Sequence, residues 1–216
     1  MDSRLVRGMH LSVLEHQESK TQRGSNMQEV AATITNGVEV ARIHETIAAV
    51  RENPQVGKYN FRIQNRWLNG GENLSEVRPF YAGGKLTKHK TRFVLSADEP
   101  EILLGTDNGA NPVEHLLHAL AACVTTSMVY HASARGIAIE QVESTLEGDI
   151  DLRGFLGLAP QIRNGYQNIR LTMRIKASGL TDEELRDLTA LGPRFSPVYD
   201  SVTRGVPVEF VTERIV

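Results

Sequence analysis

The segment that most constrains the fold is a largely apolar run of about 24 residues that begins at Asn111 and ends near Arg135. Between Glu114 and Arg135 it contains no Asp, Glu, Lys or Arg. Asn111 suits an N-cap, Pro112 suits the first helical position, and the Gly136 that follows the run is typical of a helix end. A helix of this length is about 36 Å long. Because the run is apolar on almost every side, we predict a central, buried helix.

Two segments after this run alternate between apolar and polar side chains. In residues 142–153 the polar side is acidic, and in residues 169–177 it is largely basic. Such alternation is typical of half-buried strands. In an antiparallel pair of these strands the opposite charges attract across the ladder. We therefore interpret the charges as a solvated sheet face and not as a ligand site.

The part of the chain before the central run predicts one helix and several strands. Apolar residues recur at helical spacing over 38–52, and residues 58–67 alternate like a half-buried strand. Asn69-Gly70-Gly71 marks a turn. Weaker strands are predicted near 74–81 and 90–96.

The C-terminal part predicts two helices and a closing strand. Thr181 and Glu184 have the spacing of a capping box that begins a helix, and Gly192-Pro193 is expected to end it. Ser196-Pro197 begins a second, shorter helix. The last strand is predicted from three alternating apolar residues, Val206, Val208 and Phe210. Because helices and strands do not alternate one for one, we expect an α+β fold with a mostly antiparallel sheet and a long central helix.

The chain has 216 residues, and we expect one domain over residues 37–216 with a flexible N-terminal extension over residues 1–36. The extension is polar and lacks sustained periodicity, as flexible tails do. Met27 offers an alternative start, which would make residues 1–26 an upstream extension. We read no signal peptide here, because the short apolar stretch near the start is not followed by a small-residue cleavage site.

The charge and cysteine content exclude several classes of protein. There are 24 basic and 26 acidic residues, so we expect no nucleic-acid partner and no anionic membrane partner, although this balance leaves room for a local basic patch. A single cysteine, Cys123, excludes an intramolecular disulfide and favours a reducing cytoplasm. No stretch approaches the roughly 18 apolar residues of a membrane span.

Cys123 is the first candidate for chemistry. A lone cysteine among small apolar residues is usually a core residue. The alternative is a reactive thiolate, which needs partial exposure and a positive neighbour that lowers its pKa. No residue close in the sequence supplies that charge, so an arginine would have to come from another element or another subunit.

Glu114 is the second candidate, and it also has a structural interpretation. It stands three residues after Asn111, the spacing of a capping box. At about 100° per residue, Glu114 and Cys123 lie on opposite faces of one ideal helix. They would not meet without a distortion or a neighbouring subunit.

The histidines and glycines predict neither a metal nor another cofactor. His115, His118 and His131 occur in the central run, but there is no His-Glu-x-x-His motif and no second cysteine for a zinc site. Residues 105–109 lack the Gly-Lys-Ser/Thr ending of a phosphate loop. We expect histidines that are satisfied by hydrogen bonds or solvent.

Taken together, three pieces of the sequence resemble the OsmC/Ohr family of osmotically inducible and organic-hydroperoxide-resistance proteins. They are Asp98-Glu99-Pro100, Gly105 to Glu114, and Leu116 to Cys123. The resemblance covers roughly residues 57–216. It implies an α+β fold built by an intertwined homodimer, with the long helices in the centre and both active sites at the interface.

The resemblance also implies a chemistry. In catalytic relatives a cysteine at the Cys123 position reduces organic hydroperoxides, and an arginine and a glutamate activate it. A second cysteine then closes a disulfide that an external dithiol reopens. Glu114 is the residue that corresponds to the glutamate, and Arg92 is the candidate for the arginine, ahead of Arg66 and Arg78.

The chain departs from that pattern in two places. Ser196 stands where the second cysteine would be, so the family disulfide cannot form. Val113 directly follows the proline, and Glu114 comes one residue later than the catalytic glutamate of active relatives. One residue rotates a side chain on a helix by about 100°.

Three hypotheses remain open from the sequence. The first is a one-cysteine thiol peroxidase that reduces organic hydroperoxides through Cys123 and is restored by an external thiol. The second is a non-catalytic protein that binds an apolar small molecule on the same fold, with the redox cycle lost. The third is a structural role in which Cys123 only fills the core.

The apolar stretch from Gly154 to Leu158 lies between the two long strands. Exposed apolar loops often mark an interface or a lid. We predict that Phe155 covers the binding pocket or packs on the partner subunit. The alternative is a loop that folds back on its own core.

Overall fold

The computed structural model describes residues 33–215, which belong to one compact unit. Residues 1–32, which make up most of the predicted extension, lie outside the described residues, and the extension stays a prediction. None of the helices in the described range is long and apolar enough to cross a membrane.

The described chain begins with a small hairpin of β1 (Ile34–Thr35) and β2 (Val38–Glu39), followed by α1 (Val40–Glu52). The hairpin turns at Asn36, whose φ of 52° is in the left-handed region that asparagine tolerates. The Asn36 side-chain amide donates to the Ser133 hydroxyl at 3.0 Å. The first described strand therefore starts three residues before the predicted boundary at 37, and α1 confirms the predicted helix.

An antiparallel sheet of four strands comes next. Its two long strands, β3 (Tyr59–Asn69) and β4 (Glu72–Ala82), turn at Gly70, which has a φ of 50°. The shorter β5 (Lys85–Thr87) and β6 (Val94–Ala97) both pair with β4. The predicted strands and turn are confirmed.

The central helix, α2 (Pro112–Ser133), begins as the sequence predicts. The Asn111 side chain accepts a hydrogen bond from the Val113 N–H at 2.8 Å, and the Asn111 N–H donates to Glu114 at 2.9 Å. Only one side of α2 is fully buried in the described chain. That side is a stripe at four-residue spacing, formed by Leu120, Val124, Met128 and Ala132.

The second sheet is the antiparallel pair β7 (Gln141–Asp149) and β8 (Asn168–Lys176), which confirms the predicted pairing. Acidic and basic side chains face each other across it, as in Glu147 opposite Arg170. The first strand ends at Asp149 and not at 153, because Asp151 caps a short helix, α3 (Leu152–Phe155).

Two helices follow, α4 (Asp182–Phe195) and α5 (Pro197–Arg204). The predicted end of α4 at Gly192-Pro193 is wrong, because the helix continues to Phe195. Gly192 serves close packing instead: a Cβ atom there would lie 2.8 Å from Val124 Cγ1 and 2.9 Å from the Val124 carbonyl oxygen. Together, α2, α4 and the apolar face of the β7–β8 pair enclose the core around Met128 and Leu188.

The predicted final strand is absent from the described chain. Residues 206–211 form no ladder with any described strand, and Val208 and Phe210 are 85% and 90% exposed. Alternating apolar residues form a strand only when a neighbouring edge accepts their backbone hydrogen bonds. No strand of the described chain pairs with this segment.

Candidate functional site

Cys123 lies in the middle of α2 as a half-buried free thiol. It shares a side of the helix with Leu116 and Leu120, which stand seven and three residues before it. Cys123 lies about 4.5 Å beyond Leu120 along the axis of α2. Cys123 therefore lies at the border between the buried stripe and the exposed side of α2.

A cavity of about 490 Å³ lies beside this part of the helix. Leu116 and Leu120 form its wall on α2, and Leu171 belongs to β8. The loop before β8 contributes Arg163 and Tyr166, and α5 contributes Tyr199 with polar neighbours. The cavity thus combines an apolar wall with one cationic and several hydroxyl groups, which suits a small amphipathic molecule.

Tyr166 is a residue of this cavity that the sequence analysis missed. Its hydroxyl donates to the Val113 carbonyl oxygen at 2.9 Å, at the start of α2. Burial, followed by the nearby charge of Glu114, raises the pKa of Tyr166. The ring lies so close to Gly148 that a Cβ there would be 2.3 Å from it. The signal that could have found it is a glycine inside an otherwise regular strand.

Glu114 lies on the opposite side of the helix from Cys123, as its spacing predicts. The carboxylate accepts the Asn111 N–H and completes the capping box of α2. It lines a second cavity of about 330 Å³ together with Tyr166 and Leu117. Its position in the described chain is that of a helix cap.

Arg92 is engaged elsewhere. Its guanidinium contacts Glu76 on β4, with an Nε to Oε1 distance of 3.1 Å. Arg78 pairs with the same carboxylate at 3.3 Å, and Arg66 lines a groove together with Glu76 and Arg92. The arginine that lines the cavity beside α2 is Arg163, which the sequence analysis did not single out.

Ser196 is buried and serves as the N-cap of α5, where its hydroxyl accepts the Tyr199 N–H at 3.1 Å. The preceding carbonyl, of Phe195, accepts a hydrogen bond from Ser127 at 3.4 Å. Ser127 is one helical turn beyond Cys123 on α2. The junction of α4 and α5 therefore passes alongside the cysteine-bearing part of α2.

Phe155 projects from α3 and is 73% exposed. It lines neither of the two cavities beside α2. In the described chain it therefore does not cover the pocket. Its packing on a second subunit stays a prediction.

The loop before α2 holds the start of that helix. Asp98 is buried, and its carboxylate accepts hydrogen bonds from the Thr106 hydroxyl at 2.7 Å and from the Glu99, Thr106 and Asn108 N–H groups. These bonds, led by that of the Thr106 hydroxyl, lower the pKa of Asp98 to about 2. Gly105 also allows a close approach, since a Cβ there would overlap the Glu99 carbonyl.

Two of the three histidines of α2 have structural partners. His115 Nε2 donates to the Ser96 carbonyl at 2.9 Å, and the His131 ring stacks on Phe195 with centroids 3.8 Å apart. Burial, followed by the charges of Arg135 and Arg194, lowers the pKa of His131. Within residues 33–215 no group of three or more His, Cys, Asp or Glu residues is arranged to hold a metal ion.

Comparison with known proteins identifies the domain. Residues 105–211 match the family model described as OsmC-like protein. An OsmC-like protein from Mycoplasma pneumoniae is 18% identical, with 68% of this chain and 89% of that chain covered and a TM-score of 0.50. An OsmC-like protein of unknown function from Vibrio cholerae is 14% identical, with 67% and 94% covered and a TM-score of 0.50. No curated protein sequence matches the chain.

The two structures share the mixed fold with antiparallel sheets, and at these identities the likeness concerns the fold. The matched segment contains the end of the loop before α2, all of α2, the strands β7 and β8, and the three helices that follow α2. It includes Cys123 and the signature pieces between Gly105 and Cys123, whereas Asp98-Glu99-Pro100 lies before it. Residues 105–211 therefore form an OsmC-like domain.

Proposed function

We propose that this protein is a homodimeric thiol-dependent peroxidase that reduces organic hydroperoxides through Cys123. The observation that supports this most is the position of the single thiol. Cys123 is half-buried, and it lies on the side of α2 whose Leu116 and Leu120 line the amphipathic cavity. A hydroperoxide bound there would bring its apolar part against the leucines and its polar end toward the thiol.

The reaction requires one cysteine and an external thiol. The Cys123 thiolate attacks the terminal peroxide oxygen, the O–O bond breaks, and the alkoxide takes a proton to leave as an alcohol. The sulfenic acid then condenses with an external thiol and releases water. A second external thiol reduces the mixed disulfide and restores Cys123. Ser196 cannot act as the resolving group, which is why the reductant has to be external.

A second copy of the chain would complete the site. The apolar face of β3 is exposed in the single chain, with Phe61 and Trp67 at 70% and 68%. Contiguous apolar surface of this kind usually marks an interface. The partner would cover this face, and it would also bring a positive charge to Cys123. A cytoplasmic location suits a cycle that returns to the free thiol.

The test is thiol reactivity, measured as alkylation of Cys123 between about pH 5 and pH 9, before and after one equivalent of cumene hydroperoxide. We expect an apparent thiol pKa well below the usual value of about 8.5 and rapid protection by peroxide. Cys123→Ser should abolish peroxide consumption, whereas Thr126→Ser, one turn away on α2, should not. A thiol that is indifferent to peroxide would contradict the proposal.

A gain-of-function variant sharpens the same test. Ser196→Cys restores the second cysteine of the family pattern at the junction beside α2. After oxidation by peroxide this variant should form a disulfide with Cys123 and should accept electrons from a dithiol better than from a monothiol. An oxidised variant in which both thiols can still be alkylated would show that position 196 does not reach Cys123.

A second candidate is a binding protein that keeps the cavity and has lost the redox cycle. The specific observation in its favour is that Glu114 caps a helix and Arg92 pairs with Glu76, so neither faces Cys123 within the chain. This candidate predicts that an apolar fluorescent probe binds equally well to Cys123→Ser. It also predicts that Leu116→Arg, which fills the cavity wall with a charge, abolishes binding.

A further inference from the structure

The mean charge of the chain conceals two unlike parts. Residues 58–93, which include β3, β4 and β5, contain eight lysines and arginines and two glutamates, a formal charge of +6. The rest of the chain holds 16 basic and 24 acidic residues, a formal charge of −8. The overall value of −2, from which the sequence predicts no nucleic-acid partner, therefore averages a basic sheet and an acidic remainder.

The four arginines of residues 58–93 share one face of the sheet. Arg62 and Arg66 lie four residues apart on β3, Arg78 lies on β4, and Arg92 lies two residues before the start of β6. We call these four residues the arginine face. Tyr81 belongs to the same face, because the Arg62 guanidinium lies over its ring at 5.3 Å.

The register across this face is unfavourable for folding. Arg62 is the direct cross-strand partner of Arg78, so two positive charges oppose each other in the ladder. Like charges in that position destabilise a sheet. In the β7–β8 pair the chain avoids this by placing Glu147 opposite Arg170. A like-charge pair retained in one ladder and absent from the other suggests a role for the positive charge.

Among the described residues, Glu76 is the only carboxylate that contacts the arginine face, and two arginines share it. Arg92 and Arg78 both pair with it, and the hydrogen bond from Arg92 is the main reason that its pKa is lowered. Arg66 makes no ion pair within the described part of the chain, although it lines an open groove of about 290 Å³ with Gln64 and Arg92. Three positive charges therefore remain uncompensated over this face.

We propose that the arginine face binds the phosphoryl groups of a nucleotide, with a base stacked on the Arg62–Tyr81 platform. A guanidinium group can form bidentate hydrogen bonds to the oxygens of a phosphate, whereas a lysine ammonium group cannot. Aromatic rings beside a basic track are the features by which proteins hold nucleotides without reading their sequence. An acidic peptide would need the charge but would gain nothing from an aromatic platform. The nucleotide is either free or part of a single strand.

The test is fluorescence anisotropy of a labelled oligothymidylate of about 20 nucleotides at about 50 mM salt, where phosphate contacts are strongest. Arg66→Gln should weaken binding at least about tenfold and lower the slope of log K against log salt by about 0.7, the share of one contact to a single strand. Arg92→Gln should act in the same direction. Arg42→Gln on α1 and Arg186→Gln on α4 remove the same charge elsewhere and should leave binding within about twofold.

Competitors distinguish the two sources of the nucleotide. Displacement of the oligonucleotide by ATP, but not by inorganic phosphate at equal ionic strength, would assign the face to a free nucleotide. Failure of ATP to displace it would assign the face to a single strand. The proposal is overturned if no binding occurs at this salt concentration, if the two control variants weaken binding as much as Arg66→Gln, or if polyglutamate competes equally well.

Discussion

The two antiparallel ladders of this protein solve the same folding problem in different ways. The β7–β8 pair covers its apolar face with α2 and α4 and balances its outer charges, as with Arg170 and Asp149 at 2.7 Å. The β3–β4 pair leaves its aromatic face exposed and sets Arg62 against Arg78. The first ladder is complete within one chain. The second is built to be completed by something else, which we propose is a second copy on one face and a nucleotide on the other.

The largest expected effect is a difference between the two ladders in how far their contribution to stability depends on a partner subunit. Leu188→Ala, in the core behind β7–β8, should cost about 2–5 kcal/mol at every protein concentration. Ile63→Ala, on the exposed face of β3, should destabilise the protein in a concentration-dependent way, because a dimer would bury that side chain. The measurement is urea unfolding at two protein concentrations about a hundredfold apart.

Gln64→Ala, on the opposite face of β3, is the control for Ile63→Ala. It should leave the unfolding midpoint unchanged. If Ile63→Ala also changes the free energy of unfolding by less than about 0.5 kcal/mol at both concentrations, the face is a true surface and the contrast between the ladders disappears.

A smaller effect is expected where α4 crosses α2 in the closed part of the molecule. Gly192→Ala places a methyl group within 3 Å of Val124, so we expect a loss of about 1–3 kcal/mol. Gly165→Ala is the matched control, since the nearest atom to its Cβ would be an Arg163 nitrogen 3.8 Å away. Equal midpoints for the two variants in urea would mean that the helices are not in close contact at this point.

The smallest expected effect is a pH dependence in the loop that joins the two parts of the fold. The pKa of Asp98 is lowered from 3.8 to about 2 in the folded chain. A carboxyl group whose pKa is lower in the folded chain than in the unfolded chain stabilises the fold at pH values above its unfolded pKa. That stability is lost as the pH falls from about 4 toward 2. Asp98→Asn should remove this part of the acid dependence, measured as the difference in urea midpoint between about pH 6 and pH 3. An unchanged difference would show that Asp98 is not held as a carboxylate.

Local patterns were sufficient for most of the fold. The start of α2, the capping box of α4 and the pairing of β7 with β8 follow from residues a few positions apart, and each is confirmed. The opposite placement of Glu114 and Cys123 follows from helical periodicity alone. The cavity could not be predicted in this way, because Arg163 and Tyr166 reach it from a loop more than 40 residues beyond Leu120.

Sequence alone thus determined the kinds of element, the resemblance to OsmC-like proteins and the single thiol, because caps, periodicity and composition act over a few neighbouring residues. Tertiary structure decided what the exceptional residues are for. Gly192 has the sequence pattern of a helix end, but it lies where α4 contacts α2. The lack of a side chain at Gly148 leaves room for the Tyr166 ring. Residues 206–211 have the alternation of a strand but pair with no described strand. In each case the deciding partner is distant along the chain or outside it, and local pattern carries no information about distance in space.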